Sequence, residues 1–189
     1  MLDIMAKKDF DLLMQSQMAD YYKGRWAYFK KVIAIIKIIK PENALELGPA
    51  KHTIIKNCAI MVHQKDDSWG KPVNKVNKIF YHNATMKPWP VNDKSYDVFI
   101  ALQVWEHLDN KQARAFREVM RISRSAILSF PFNWNCPEDN PNYPEHHMID
   151  KELIGDWTLN IEPKKIIQVE RTGTKVSKGP RFIYYWEFS

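Results

Sequence analysis

The sequence predicts an α/β fold: a mostly parallel sheet with helices on both faces, closed by an antiparallel pair of strands at the C-terminal end. Three observations carry that expectation. The runs "ALEL" (44–47), "CAIMVH" (58–63), "KIFYH" (78–82), "YDVFIAL" (96–102) and "SAILSF" (125–130) have the length and apolar content of strands. The longest of them are almost unbroken in apolar residues, as strands covered on both faces should be. Segments of helical periodicity flank and separate these runs, the pattern of a parallel sheet with crossover helices. Finally, "KKIIQVER" (164–171) and "RFIYYWEF" (181–188) follow one another with no helical pattern between them, which reads as an antiparallel pair.

Taken in order, residues 8–20 and 25–39 have the apolar spacing of helices. Lys40-Pro41-Glu42-Asn43 stops the second, because proline cannot continue the hydrogen-bond ladder and restricts the residue before it. After the strand at 96–102, residues 109–123 predict a helix with Asp109 or Asn110 as its cap. Ala113, Phe116, Val119 and Met120 would form its buried stripe. Pro131 ends the next strand, and a loop rich in Pro, Asn and aromatics runs over 131–148. Residues 150–157 read as a short helix.

The 189 residues suit one domain, with 1–40 as a helical cap, 41–132 as the core and 133–189 as a loop followed by the closing strands. Hydrophobic residues make up 45% of the chain, enough for a core and too many for general disorder. A net charge of +6 suits an anionic partner, but the lysines are scattered, so nucleic acid is not favoured. Cys58 and Cys136 have neither paired nor zinc-like spacing, and no metal is expected; a reduced, cytoplasmic setting follows. No run reaches the roughly 20 apolar residues that a membrane span requires. "FKKVIAIIKIIK" (29–40) is amphipathic and basic, and packing on its own domain is the expected use of its apolar face.

In an open parallel sheet, ligands bind beyond the C-terminal ends of the strands, so the residues leaving each strand are the ones to read. The first strand exits into "GPAKHT", with the single glycine Gly48. A dinucleotide site would use several glycines in a G-x-G-x-x-G turn, which disfavours a nicotinamide-dependent oxidoreductase. Read together, "ALELGPA", "YHNATMKPWP", "KSYDVFIALQVWEHLDN" and "EVMRISRSAILSFPF" resemble the class I S-adenosylmethionine-dependent methyltransferases over residues 40–132. The resemblance implies a Rossmann-like fold, S-adenosylmethionine as cofactor and S-adenosylhomocysteine as product.

Carried onto this chain, the resemblance puts Glu46, Gly48 and Pro49 in the first cofactor loop, with Glu46 often holding loop backbone in that family. Asp66 or Asp67 stands near the place of a ribose-binding acid, although either could instead cap a turn. Asn83 takes the position of an acid facing the adenine amino group, and the backbone N–H of Ala84 would meet the ring. Gln103 opens the loop along the other side of the cofactor. His107 either bonds backbone under the sheet or faces the acceptor, and Trp105 reads as packing.

Two further regions point towards the acceptor. In "YYKGRWAYFKK" (21–31), Arg25 has the planar guanidinium suited to the cofactor's carboxylate, with Trp26 and Tyr28 beside it as part of a lid. The alternative is an ordinary helix start with an aromatic anchor. Phe132 would form one wall of a pocket, and the long loop 133–150 contributes Glu145, His146, His147 and Asp150. His146 or His147 would act as general base near neutral pH if the acceptor must lose a proton. No Asn/Asp-Pro-Pro-Tyr motif follows the fourth strand, which disfavours a DNA-base enzyme. A small-molecule or sugar-containing acceptor is expected; a non-catalytic cofactor-binding module and an RNA or protein methyltransferase are the alternatives.

Overall fold

The computed structural model describes residues 2–16, 19–63, 75–132, 149–171 and 179–189. Their elements run α1 (Lys7–Leu13), α2 (Ala19–Tyr22), α3 (Trp26–Ile39), β1 (Ala44–Leu47), β2 (Ala59–Val62), β3 (Lys78–Tyr81) and β4 (Val98–Leu102). A 3-10 turn (Trp105–His107) leads to α4 (Gln112–Ile122) and β5 (Ser125–Pro131), and α5 (Lys151–Trp157), β6 (Lys165–Val169) and β7 (Arg181–Glu187) complete the chain. The strands form one sheet of seven in the order β3-β2-β1-β4-β5-β7-β6. Neighbours from β3 to β5 are parallel, while β7 runs antiparallel to both β5 and β6. The antiparallel strand is thus inserted between β5 and β6 rather than lying at the edge.

Alternation along the strands divides the core into two clusters. Leu45, Leu47, Met61, Phe99, Ala101, Leu128 and Phe130 face α4 and α5. Ala44, Ile60, Val62, Val98, Ile100 and Ile127 face α3 and the N-terminal helices. Both faces being covered explains the unbroken burial of β1, β2 and β5. Helix α3 contributes Tyr28, Phe29, Val32, Ile33, Ile35 and Ile36, while its lysines stay outside, so the basic amphipathic segment is spent on the sheet. It stops at Lys40, in the left-handed region (φ 51°), whose amide donates to the Ile36 carbonyl immediately before Pro41. No helix among the described residues is long and apolar enough to cross a membrane.

Three local expectations are corrected. The helix expected over 8–20 is two short pieces, α1 and α2. Helix α4 begins at Gln112, and neither Asp109 nor Asn110 caps it, because both lie in the left-handed region (φ 44° and 55°) and turn the chain out of the 3-10 segment. Its buried face is Gln112, Ala115, Phe116, Glu118, Val119 and Ile122, with Ala113 and Met120 at the margins. Glu118 belongs to that face because it accepts the Trp89 amide (2.8 Å) and pairs with Arg121 (2.6 Å), so its burial is satisfied. A second clip joins the starts of β1 and β4. Asp97 accepts from the Glu42 amide (2.8 Å), and its own amide donates to the Asn43 side chain (2.7 Å).

Phe116 packs edge-on against Trp105, Trp186 and Phe188. Phe116→Ala therefore removes the ring on which three others rest, and is expected to cost about 3–5 kcal/mol. A urea unfolding curve checks this; a midpoint within error of the parent would mean that the aromatic cluster closes without it.

Candidate functional site

The reversal of strand order falls between β1 and β4, and the polar side chains converge beyond their C-terminal ends. Glu46, on β1, is 2% exposed and accepts a hydrogen bond from the Ile54 amide at 2.9 Å. Burial pushes its carboxyl up to about 8, and hydrogen bonds from the Ile54 and Ile55 amides offset only part of that. Glu46 thus ties the far end of the loop to β1 from beneath. Met5 donates its amide to the Ile54 carbonyl (2.8 Å), and the Lys51 amide donates to the Tyr22 hydroxyl (3.2 Å), so the N-terminal segment holds the loop from outside.

Within that loop Gly48 has φ 57° and donates its amide to the Met61 carbonyl (3.0 Å). A Cβ there would meet Val104 Cγ2 at 3.2 Å, so glycine is required by both backbone and neighbour. Ala50 also takes a left-handed conformation (φ 54°), and Pro49 between them has no N–H to offer. The chain turns as a glycine-rich loop would, with fewer amides presented.

Gly48, Pro49 and Ala50 line a cleft together with Tyr21, Tyr22, Arg25, Tyr28, Glu46 and Leu102. Arg25 lies over the Tyr21 ring (3.8 Å), donates Nε–H to the Tyr21 carbonyl (2.6 Å) and Nη1–H to the Tyr28 hydroxyl (3.3 Å). Trp26 is turned away, against Phe10 of α1 at 5.1 Å between ring centres. Tyr28 is buried and faces Arg181, whose guanidinium carbon is 4.8 Å from the ring centre.

Gln103 leaves β4 in a strained left-handed conformation (φ 59°). Ser129 of β5 holds it there, since the Gln103 amide donates to the Ser129 carbonyl and hydroxyl, both at 3.1 Å. Its side chain donates to Ser129 Oγ (3.2 Å) and accepts from Arg181 Nε (3.3 Å). Trp105 is fully buried among Phe99 and Phe116, as packing. His107 is exposed on the 3-10 turn, not under the sheet. Phe132 stacks obliquely on Phe182 (4.5 Å).

Asn83 is occupied differently from the sequence expectation. Its side-chain oxygen accepts both the Thr85 amide (2.9 Å) and the Thr85 hydroxyl (2.8 Å), using both lone pairs in its own turn. The side-chain N–H groups of Asn83 are what remain for a ligand; Ala84 beside it is buried, its carbonyl accepting from Trp89 Nε1 (3.1 Å). Asp150 likewise caps α5, accepting the Leu153 amide at 2.8 Å, and that ties its carboxylate to the helix start. Asp66, Asp67, Glu145, His146 and His147 lie outside the described residues.

Three residues were passed over in the sequence. Glu106 is 2% exposed, with Oε2 lacking a hydrogen-bond partner among the described residues. Burial pushes its carboxyl up to about 7 even though Arg25, Arg171 and Arg181 pull it down. Arg171 and Arg181 sit beside it at the ends of the β6–β7 pair, where only the antiparallel register (Val169 opposite Arg181) brings them together. The one signal for them was a charged residue at the end of each otherwise apolar run.

A seven-stranded sheet of this order, with a glycine turn after β1 and polar groups at the β1/β4 switch, defines a class I, Rossmann-like methyltransferase fold. Residues 43–126 match the family model described as a methyltransferase domain. Solved structures agree in fold. The N-methyltransferase NodS from Bradyrhizobium japonicum WM9 aligns with TM-score 0.65 and 10% identity over 89% of this chain and 98% of its own. A methyltransferase from Thermotoga maritima aligns with TM-score 0.61 and 12% identity over 95% and 100%. The N-terminal domain of EvdMO1, solved with S-adenosylhomocysteine bound, aligns with TM-score 0.55 and 9% identity over 85% and 81%. No curated protein matches in sequence. Residues 43–126 are therefore similar to a methyltransferase domain, a likeness that points to S-adenosylmethionine as the cofactor.

The buried acids give a pH signature. Between about 4.5, the ordinary glutamate value, and about 8, the unfolded chain gives up the Glu46 proton while the folded chain keeps it. Stability is then complete at acid pH, as far as this group is concerned, and falls as pH rises, by on the order of 1.4 kcal/mol per unit. Glu106 adds a smaller fall that ends near 7. Glu46→Gln, which mimics the neutral acid, is expected to flatten the curve of urea midpoint against pH. Parallel curves for the two proteins would show that Glu46 is ionised in the fold.

Proposed function

We propose that the chain transfers the methyl group of S-adenosylmethionine to an oxygen or nitrogen of a small-molecule or sugar-containing acceptor. The observation that carries this reading is the cleft past β1, in which a Cβ-free turn at Gly48 lies beside the Arg25 guanidinium and three tyrosine faces. The cofactor supplies an activated methyl group on a sulfonium, which leaves the chain to align donor with acceptor and exclude water. Gly48 lets backbone approach the methionine part, and Arg25 offers its carboxylate a planar donor. Tyr21, Tyr22 and Tyr28 present aromatic faces suited to a cation. Glu46 keeps the loop in place from below, while Pro49 limits how many amides the loop can donate.

On the adenosine side, the Asn83 amide nitrogen and the Ala84 backbone would meet the base, Asp66 or Asp67 the ribose, and Gln103 the opposite wall. Phe132 and Tyr28 border the acceptor's approach, with His107 on the rim. His146 or His147 would accept the acceptor's proton where the nucleophile needs to lose one.

Calorimetric titration with S-adenosylmethionine, S-adenosylhomocysteine and NAD tests the cofactor assignment; binding of neither sulfur nucleoside at millimolar concentration would end it. Gly48→Val sets a branched side chain in a left-handed turn and is expected to weaken S-adenosylhomocysteine binding by about tenfold or more. Unchanged affinity would put the cofactor loop elsewhere. Replacing His146 and His147 together by Gln should slow methyl transfer to cell extract, followed by mass spectrometry, with cofactor affinity preserved. Equal losses in both would assign that loop to folding instead.

A further inference from the structure

The turn at Gly48 commits most of its amides to its own fold. Gly48 donates to the Met61 carbonyl (3.0 Å), Lys51 to the Tyr22 hydroxyl (3.2 Å) and His52 to the Pro49 carbonyl (3.4 Å). Pro49 has no N–H, so over residues 48–52 only the Ala50 amide is left uncommitted among the described residues. Glu46 gives an anion nothing, since its carboxyl already accepts the Ile54 amide (2.9 Å). A carboxylate entering this cleft loses water and must find donors, and the backbone supplies few.

Among the described side chains that line the cleft, Arg25 and His52 are the two that can carry a positive charge. Arg25 precedes α3 and gives Nε–H to the Tyr21 carbonyl and Nη1–H to the Tyr28 hydroxyl. His52 comes from the loop itself, half-buried, and its ring nitrogens have no hydrogen-bond partner among the described residues. The same imidazole lines a second hollow with Met5, Asp9, Leu12 and Lys56, so it is shared by the two. Burial holds His52 below the ordinary histidine value; Asp9 of α1 pulls it up, and Lys56, paired with Asp9 at 2.9 Å, pushes it down. The other titratable groups around the cleft are Tyr21 and Tyr22 of α2, Arg25, Tyr28 of α3 and Glu46 of β1.

We propose that His52 donates a ring N–H to the carboxylate of the cofactor's methionine part, alongside Arg25. The assignment rests on the cofactor reading above and adds a second side-chain donor to that site, where the turn offers few amides. Imidazole suits the task because it can donate when neutral and donates more strongly when protonated. An arriving carboxylate raises the pKa that burial has lowered, so binding draws a proton onto the ring. Affinity therefore rises as pH falls through the ring's bound-state pKa, and levels off below its pKa in the empty cleft.

The test is calorimetric titration of the whole chain, from about pH 5 to about pH 8, with S-adenosylmethionine and separately with its decarboxylated analogue, which lacks only the carboxylate. His52→Phe keeps a ring and removes the N–H. It is expected to weaken S-adenosylmethionine binding about tenfold or more at the acid end and less at the alkaline end. Binding of the decarboxylated analogue should change less than about threefold. His52→Gln keeps a neutral donor and should retain part of the affinity, while the ratio of parent to variant affinity still grows as pH falls. Glu46 and Glu106, whose carboxyls burial pushes up to about 8 and about 7, titrate in every protein of the series and cancel in that ratio. Should His52→Phe fail to fold, His52→Gln carries the same comparison. The proposal is overturned if the variants bind S-adenosylmethionine as well as the parent, or if the ratio does not change with pH. It is also overturned if both ligands weaken in step, since the ring then holds the loop rather than the carboxylate. A parent that binds neither ligand overturns the cofactor reading, and this assignment with it; a parent that binds both, with variants unchanged, overturns the assignment alone.

Discussion

Glu46 is the pivot of this molecule. Its carboxyl sits at the end of the first strand, almost sealed from water, and reaches the Ile54 amide on the far side of a loop that must otherwise hold itself. Everything on the open side of the sheet depends on that tie. The turn at Gly48 keeps its left-handed conformation because the loop beyond it is anchored, and the N-terminal segment docks through Met5 and Tyr22 onto the same loop. A carboxyl raised to about 8 is the consequence of placing an acid where backbone needs an acceptor and no cation is near.

The sheet order converts this local tie into a site. Strand β4 lies against β1, so Gln103 leaves the sheet beside Gly48, and Ser129 on β5 constrains its backbone from the other flank. The left-handed φ of Gln103 is over-determined by the hydrogen bonds that its amide and side chain donate to Ser129. The β6–β7 pair then brings two arginines in from residues far along the chain.

Much of the fold could be read from the chain because its cause is periodic. Runs such as "YDVFIAL" and "SAILSF" carry the pattern of strands covered on both faces, and helix α3 was marked by its isoleucine spacing and by Pro41. The structure adds most to the sequence reading where side chains compete for backbone. Asp109 and Asn110 resemble caps but take left-handed turns; Asn83 spends its oxygen on Thr85; Asp150 caps α5. Each of these residues can bond to its own neighbourhood or to a ligand, and local composition is the same in both cases.

By itself, the sequence determined the α/β class, the parallel core and the single-glycine turn after the first strand, because strand burial and turn chemistry are written in nearby residues. Only the tertiary structure decided that β7 enters between β5 and β6, and that Arg25, Arg171 and Arg181 converge on Glu106. Arg25 stands more than a hundred positions along the chain from Arg171 and Arg181. Their meeting is set by strand order and antiparallel register, long-range properties that no local pattern encodes.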